Sequence, residues 1–248
     1  EFRKEFPERA LHPVRLNLAE ATAADQLAVE LDKLEAQHGT QPGLLFSNAG
    51  FIRNGFFADT PLPVLLAQVD VNARVSVGLV HDFVRRLRAR GAVGGIAFTS
   101  SPAHLIPGPF AAMYAATKAF VTAFGASIAP ELRQDGIDVL VMHPSPVSTS
   151  FYAGAANLDT INFFKATGVS PESIAACYMS SMGRVIVHDQ GYFSLGVKLA
   201  LRFGEYNLMA QLFAALLHLL PDYAVAKAAA DAAKAKEKST GSSKRKTK

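Results

Sequence analysis

Residues 96–118 have the sequence IAFTSSPAHLIPGPFAAMYAATK, an apolar run ending in two serines, a loop rich in proline and glycine, and a helix with Tyr114 and Lys118. Residues four apart lie on one face of a helix, so the Lys118 ammonium is expected beside the Tyr114 phenol. A nearby cation lowers the pKa of a phenol from about 10, which would make Tyr114 a general acid or base. Ser101, at the carboxyl end of a strand, can reach the same place.

A second Tyr-x-x-x-Lys pair, Tyr223 and Lys227, occurs near the carboxyl end of the chain. No strand-like run precedes this pair, and it opens a segment rich in alanine and lysine. The spacing alone is weak evidence, because it arises easily by chance. We therefore interpret the second pair as a coincidence and the first as a candidate active site.

Apolar runs of strand length alternate with longer helical stretches along the chain. Nearly continuous hydrophobic strands between helices indicate a parallel sheet that is covered on both faces. The sequence therefore predicts an α/β fold with a doubly wound, Rossmann-like parallel sheet. The predicted strands are 43–47, 94–99 and 137–142, and the predicted helices lie near 21–38, 61–90 and 112–133.

Several motifs in this order resemble the short-chain dehydrogenase/reductase family, strongly from residue 11 to 152 and more loosely to residue 220. Asn48-Ala49-Gly50 is similar to the family's NAG turn, and Asn72, Ser101, Tyr114 and Lys118 match its catalytic positions. The segment 144–149, PSPVST, resembles the family's Pro-Gly-x-Val-x-Thr segment, with Ser145 in place of the glycine.

The resemblance implies an oxidoreductase that moves a hydride between a nicotinamide cofactor, NADP or NAD, and its substrate. Tyr114 would transfer the proton, Lys118 would lower the phenol's pKa and hold the nicotinamide ribose, and Ser101 would donate to the substrate oxygen. Asn72 would hold a water that links Lys118 to solvent. The cofactor would also contact Asn17, Asn48, Ala49, Gly50, Pro144, Ser145, Val147 and Thr149, with loop capping as the alternative for Asn17.

The family's glycine-rich phosphate loop has no counterpart, since no Gly-x-x-x-Gly-x-Gly run occurs in this sequence. That loop would precede Glu1, so we expect a fragment that lacks the first strand-helix unit, with doubtful activity of its own. Residues 1–8 are expected to end a charged helix, and residues 11–18 to form a strand.

The charge distribution and the cysteine content argue against a nucleic-acid-binding domain and a metal site. The formal net charge is +4, but residues 227–248 contain eight basic residues against two acidic ones, which leaves the remainder at −2. A slightly acidic body does not fit a nucleic-acid-binding domain. The single cysteine, Cys177, and the spacing of the histidines indicate no metal site. We expect one domain over 1–226 and a disordered basic tail over 227–248.

Aromatic side chains between residues 147 and 170 suggest the substrate class. The resemblance places a substrate lid here, so these side chains would form an apolar wall over the cofactor. An apolar wall implies a hydrophobic substrate, namely a lipid-, steroid- or acyl-like ketone or secondary alcohol. The alternative is that these side chains form core beneath an ordinary loop. They are Phe151, Tyr152, Phe163 and Phe164.

The apolar stretch 207–220 is too short to span a bilayer alone. It indicates a helix packed on the sheet or a peripheral membrane contact. The ending Lys244-Arg245-Lys246-Thr247-Lys248 resembles a dilysine retrieval signal, which suggests the cytosolic face of the endoplasmic reticulum membrane. The resemblance also implies a homodimer. A non-catalytic scaffold on the same fold and a membrane-associated interaction domain remain alternatives.

Overall fold

Four parallel strands form one sheet in the order β1-β2-β3-β4. The computed structural model describes residues 2–155 and 158–245. The first three strands fall where the hydrophobic runs predict them, and the short fourth strand was not predicted. The α/β parallel sheet is therefore confirmed. The strands are β1 Leu44–Ser47, β2 Gly94–Thr99, β3 Ile137–His143 and β4 Val187–Asp189.

Helices connect and flank these strands. The predicted helix near 61–90 is one continuous element of three parts, in which the π-helical turn Asp70–Arg74 joins α3 to α4. The helices are α1 Phe2–Glu5, α2 Ala23–His38, α3 Leu62–Val69, α4 Val75–Ala89, α5 Ala112–Leu132, α6 Asp159–Ala166, α7 Pro171–Ser181, α8 Gly191–Phe203, α9 Tyr206–Leu216 and α10 Pro221–Arg245.

Alternate residues of β2 and β3 point to opposite layers of helices, as the period of two in a strand requires. On one face, Phe98 and Val141 pack with buried residues of α4 and α5. On the other face, Leu140 and Met142 pack with Tyr178 of α7. Both faces of the sheet are thus covered, which is the arrangement that the continuous apolar strands predicted.

The predicted strand over 11–18 is wrong, because these residues are not part of the sheet. A strand needs a neighbour that completes its backbone hydrogen bonds. Within the described residues, β1 pairs only with β2 and lies at the edge of the sheet. Leu44 and Phe46 of β1 are consequently about half exposed.

The described part of the predicted disordered tail is helical instead. Helix α10 runs from Pro221 to Arg245 and crosses the predicted boundary between 226 and 227. Alanine and lysine have high helix propensity, and Ala226 and Ala230 are buried. Lys234 also forms an ion pair with Asp59, with Nζ and Oδ1 2.9 Å apart. The basic ending at 246–248 lies outside the described residues, and the two-part division of the chain remains a prediction.

Candidate active site

Tyr114 and Lys118 lie one turn apart near the start of α5, as their spacing predicted. The Lys118 Nζ atom is 5.7 Å from the centre of the Tyr114 ring. It donates a hydrogen bond of 2.7 Å to the carbonyl oxygen of Thr99, the last residue of β2. The lysine therefore connects the helix that carries the phenol to the end of the strand that precedes Ser101.

The expected lowering of the Tyr114 pKa by Lys118 is not found. Burial raises the pKa of the Tyr114 phenol to about 12, and a hydrogen bond with the Ser101 side chain acts in the opposite direction. The ammonium is directed at the Thr99 carbonyl rather than at the phenolic oxygen. Tyr114 thus carries its proton at neutral pH, as a general acid must, although this high pKa makes it a weaker proton donor than an exposed tyrosine.

Lys118 is itself held in an unfavourable environment for a cation. Its side chain is buried, and this burial lowers the pKa of the ammonium to about 8. Removal from water disfavours the charged form of a buried amine. The ammonium remains mostly protonated at pH 7, because its pKa lies only about one unit above that pH.

Ser101 rather than Ser100 faces the phenol. Ser101 contributes the hydrogen bond to Tyr114, and its Oγ accepts a hydrogen bond of 3.2 Å from the backbone amide of Ala103. Ser100 is buried and donates a hydrogen bond of 2.8 Å to the carbonyl oxygen of Lys118. The two neighbours therefore point in different directions, because successive side chains alternate between the two sides of an extended chain.

Asn72 occupies the π-helical turn between α3 and α4, a feature often found at functional sites. Its Oδ1 accepts from the amide of Phe51 at 2.9 Å, and its Nδ2 donates to the carbonyl of Phe51 at 2.9 Å. A Cβ on Gly50 would stand 3.2 Å from Asn72 Oδ1 and 3.6 Å from Lys118 Nζ, so glycine permits this close approach. The proposed water on Asn72 remains a prediction.

The predicted cofactor residues meet at one cavity of about 940 Å³, which Ser101, Tyr114 and Lys118 also line. On this shared wall Gly50 lies against Asn72 and Lys118. Asn17 is not among the residues that line it; its Oδ1 accepts from the Ala19 amide in a capped turn, which is the loop-capping alternative. The lining residues are Asn48, Ala49, Gly50, Pro144, Ser145, Val147 and Thr149.

Ser145 stands where the family pattern has glycine, and its hydroxyl bonds to the protein backbone. Its Oγ donates to the carbonyl of Gln190 at 2.8 Å, and the Ser194 amide lies 3.5 Å from the same oxygen. A Cβ on Gly191, which has φ of +80°, would stand only 2.4 Å from this hydroxyl. Ser145 therefore ties the segment after β3 to the start of α8.

Three of the four predicted substrate residues line the cavity, namely Phe151, Tyr152 and Phe164. Phe163 is 53% exposed and is not among the lining residues. Adjacent residues of a helix point about 100° apart, so one phenylalanine of α6 faces inward and the next outward. Sequence reasoning missed further apolar wall residues, which come from distant segments: Ile52, Phe110, Leu158, Ile161, Phe193, Val197, Phe213 and Leu220.

A family profile described as short chain dehydrogenase matches residues 2–157, which is more than half of the chain. The chain belongs to the short-chain dehydrogenase family. A short-chain dehydrogenase structure from Streptomyces avermitilis superposes with a TM-score of 0.69 at 18% identity, covering 85% of this chain and 80% of that one. At this identity, the similarity supports the fold alone.

Two curated relatives of this short-chain dehydrogenase match by sequence. A very-long-chain 3-oxoacyl-CoA reductase-like protein of Arabidopsis thaliana is 32% identical over 156 residues, covering 60% of this chain and 48% of the relative. An NADPH-dependent 3-dehydrocapnine reductase of Ornithobacterium rhinotracheale is 26% identical over 157 residues, covering 62% and 54%. The chain spans about half the length of these relatives.

Proposed function

We propose that this short-chain dehydrogenase transfers a hydride between NADP, or NAD, and a hydrophobic ketone or secondary alcohol. One observation carries the proposal: Ser101, Tyr114 and Lys118 open onto the same cavity as a continuous wall of aromatic and aliphatic side chains. The two curated relatives have names that describe reductases, one of an acyl-CoA and one NADPH-dependent. Both the substrate class and the preference for NADP are inferences from this combination.

A bound nicotinamide cofactor would supply the hydride, which no side chain can supply. Asn48, Ala49 and Gly50 would line the adenosine side of this cofactor, and the Pro144 to Thr149 segment would hold its nicotinamide half near Lys118. A substrate carbonyl oxygen would accept from the Ser101 hydroxyl and from the Tyr114 phenol, two donors aimed at the atom that gains negative charge. Tyr114, protonated at neutral pH, would then give up its proton to that oxygen.

The apolar wall predicts a dependence on chain length. Each buried methylene contributes about 0.8 kcal/mol, so kcat/KM should rise about fourfold per added carbon until the cavity is filled. A series of 3-ketones of increasing length, with NADPH as reductant, measures this slope. A flat kcat/KM across the series would overturn the hydrophobic substrate class.

Neighbouring residues of α6 provide a matched pair for the same assay. Phe164→Ala is expected to flatten the dependence on chain length, because it removes part of the wall. Phe163→Ala changes the same residue type at an exposed position and should leave the slope unchanged.

We also propose that the outer faces of α8 and α9 contact a membrane surface. The inner faces of these helices contribute Phe193, Val197 and Phe213 to the cavity. The outer faces expose large apolar side chains, with Tyr192 96% exposed, together with Leu195, Leu199, Leu208, Leu212 and Leu216; Leu219, in the turn that follows α9, is 67% exposed. The helical segments on either side of Leu220 are bent by 66°, so each can lie along an interface.

Anionic vesicles test the membrane contact, because apolar residues and the basic carboxyl-terminal segment act together at such a surface. The protein is expected to sediment with phosphatidylserine vesicles at low salt, and Leu216→Glu with Leu219→Glu should abolish this. Leu66→Glu, at an exposed leucine of α3, should not. A wild-type protein that stays in the supernatant would contradict the proposal. The endoplasmic reticulum location and the homodimer remain proposals.

A further inference from the structure

His143 is a buried histidine at the end of β3, immediately before the segment proposed to hold the cofactor. Its Nδ1 lies 2.8 Å from Asp189 Oδ1 at the end of β4, and its Nε2 lies 3.0 Å from Thr122 Oγ1 on α5. Lys198 of α8 forms an ion pair with the other carboxylate oxygen of Asp189. The imidazole therefore links the ends of β3 and β4 to α5, the helix that carries Tyr114 and Lys118.

One branch of this network reaches the backbone of Lys118. Thr122 Oγ1 lies 2.7 Å from Ser100 Oγ. Ser100 in turn lies 2.8 Å from the carbonyl oxygen of Lys118. Hydrogen bonds thus run without a break from Asp189 to the residue that carries the catalytic ammonium.

A second branch reaches Ser101. The ring of His104 stacks on that of His143, with centroids 4.1 Å apart and planes tilted by 31°. His104 Nδ1 donates a hydrogen bond of 2.7 Å to the carbonyl oxygen of Ser101. The position of His143 therefore affects the backbone at both Lys118 and Ser101.

The donor directions follow from the charges. Burial, with a contribution from neighbouring His104, lowers the pKa of His143 to about 4, so the ring is neutral at pH 7. Burial acts to raise the pKa of Asp189, but Lys198 and His143 hold it below its usual value. The carboxylate then requires the Nδ1–H tautomer, which leaves Nε2 as an acceptor for the Thr122 hydroxyl. Ser100 donates to the Lys118 carbonyl, and one of the two hydroxyls, that of Ser100 or that of Thr122, shares its proton in the contact between them.

We propose that His143, held by Asp189 and Lys198, is a positioning residue that fixes the placement of Ser101 relative to Tyr114 and Lys118. This inference rests on the proposed oxidoreductase function. Ser101 comes from the end of β2, whereas Tyr114 and Lys118 come from α5, so their relative placement depends on contacts between those elements. A misplacement of about 1 Å in such a site can cost about 10²-fold in rate.

His143→Leu removes both polar contacts of the ring, and it is expected to lower kcat by about 10–100-fold while KM for the ketone changes by less than about threefold. His143→Gln, whose amide can still accept from Thr122, should recover most of that loss. The matched control is His188→Leu on β4, since His188 Nδ1 bonds to Ser181 and to neither branch.

Nitrogen-15 NMR of the histidines gives a readout that a purely structural role would not change. The wild-type protein should show His143 as a neutral Nδ1–H tautomer at pH 7, and Asp189→Asn should reduce that preference together with kcat. Asp189→Asn also serves if His143→Leu fails to fold. A kcat within threefold of wild type in folded variants, or a loss no larger than that of His188→Leu, would overturn the inference. A wild-type protein that binds the nicotinamide cofactor and still shows no turnover would overturn the proposed function instead.

Discussion

Tyr114→Phe is expected to lower kcat for ketone reduction by about 10²–10⁴-fold while leaving the affinity for the nicotinamide cofactor nearly unchanged. The substitution removes one oxygen from a side chain at the cavity and keeps its ring, which packs 6.0 Å from the ring of Phe151. Because the pKa of Tyr114 is raised to about 12, the phenol carries a proton at the pH of the assay, and phenylalanine has none to give.

Steady-state turnover and cofactor titration by fluorescence separate the two quantities. Tyr223→Phe is the matched control, because Tyr223 begins the second Tyr-x-x-x-Lys pair and packs edge-on against Phe56 with ring centres 5.8 Å apart. Tyr223→Phe should leave both kcat and the affinity for the cofactor unchanged. Retention of more than about a tenth of kcat in Tyr114→Phe would contradict the general-acid assignment, and a comparable loss in Tyr223→Phe would contradict the choice between the pairs.

Lys118→Met is expected to lower turnover by about 10²–10³-fold and to stabilise the fold by about 1–3 kcal/mol. Burial lowers the pKa of Lys118 from 10.5 to about 8, so the folded state bears the cost of a desolvated cation at neutral pH. Each pKa unit corresponds to about 1.4 kcal/mol, from which loss of the Nζ hydrogen bond to Thr99 must be subtracted. Activity and stability should therefore change in opposite directions.

The pH dependence of stability tests this cause directly. Between pH 8 and 9 the unfolded chain keeps the Lys118 proton that the folded protein has lost, while tyrosines still keep theirs in both states, so the free energy of unfolding of the wild-type protein should rise with pH. The slope should be about 1 kcal/mol per pH unit and should disappear in Lys118→Met. Lys33→Met, at an exposed lysine paired with Glu30, should keep the slope. Urea unfolding at several pH values measures all three proteins, and an equal slope in Lys118→Met would refute the argument.

Local patterns predicted much of the fold and the centre of the site. The apolar runs located β1, β2 and β3 to within one residue at each end, because a buried strand must be hydrophobic on both faces. The spacing of Tyr114 and Lys118 predicted their shared face, since helix geometry alone places residues four apart together. The place of Ser101, just after β2, was predicted from the convergence of functional groups at the carboxyl ends of parallel strands.

Other features depended on partners far away in the sequence. The expected strand over 11–18 has no place in the sheet, since alternation does not supply a hydrogen-bonded neighbour. The pairing of His143 with Asp189 joins residues 46 positions apart, and β4, which carries Asp189, is only three residues long. Sequence patterns of such a short element are too weak to predict it.

The sequence by itself determined the family and the order of β1 to β3 with the helices between them, and it predicted Ser101, Tyr114 and Lys118 as the site, because these depend on short-range periodicity and on motif order. Tertiary structure alone decided the protonation chemistry: burial raises the pKa of Tyr114 and lowers that of Lys118, against the expectation from a charge pair. It also decided that Phe164 faces the cavity and Phe163 the solvent. The reason is that desolvation and helix rotation are set by which distant side chains pack against a residue, and spacing along the chain does not encode those contacts.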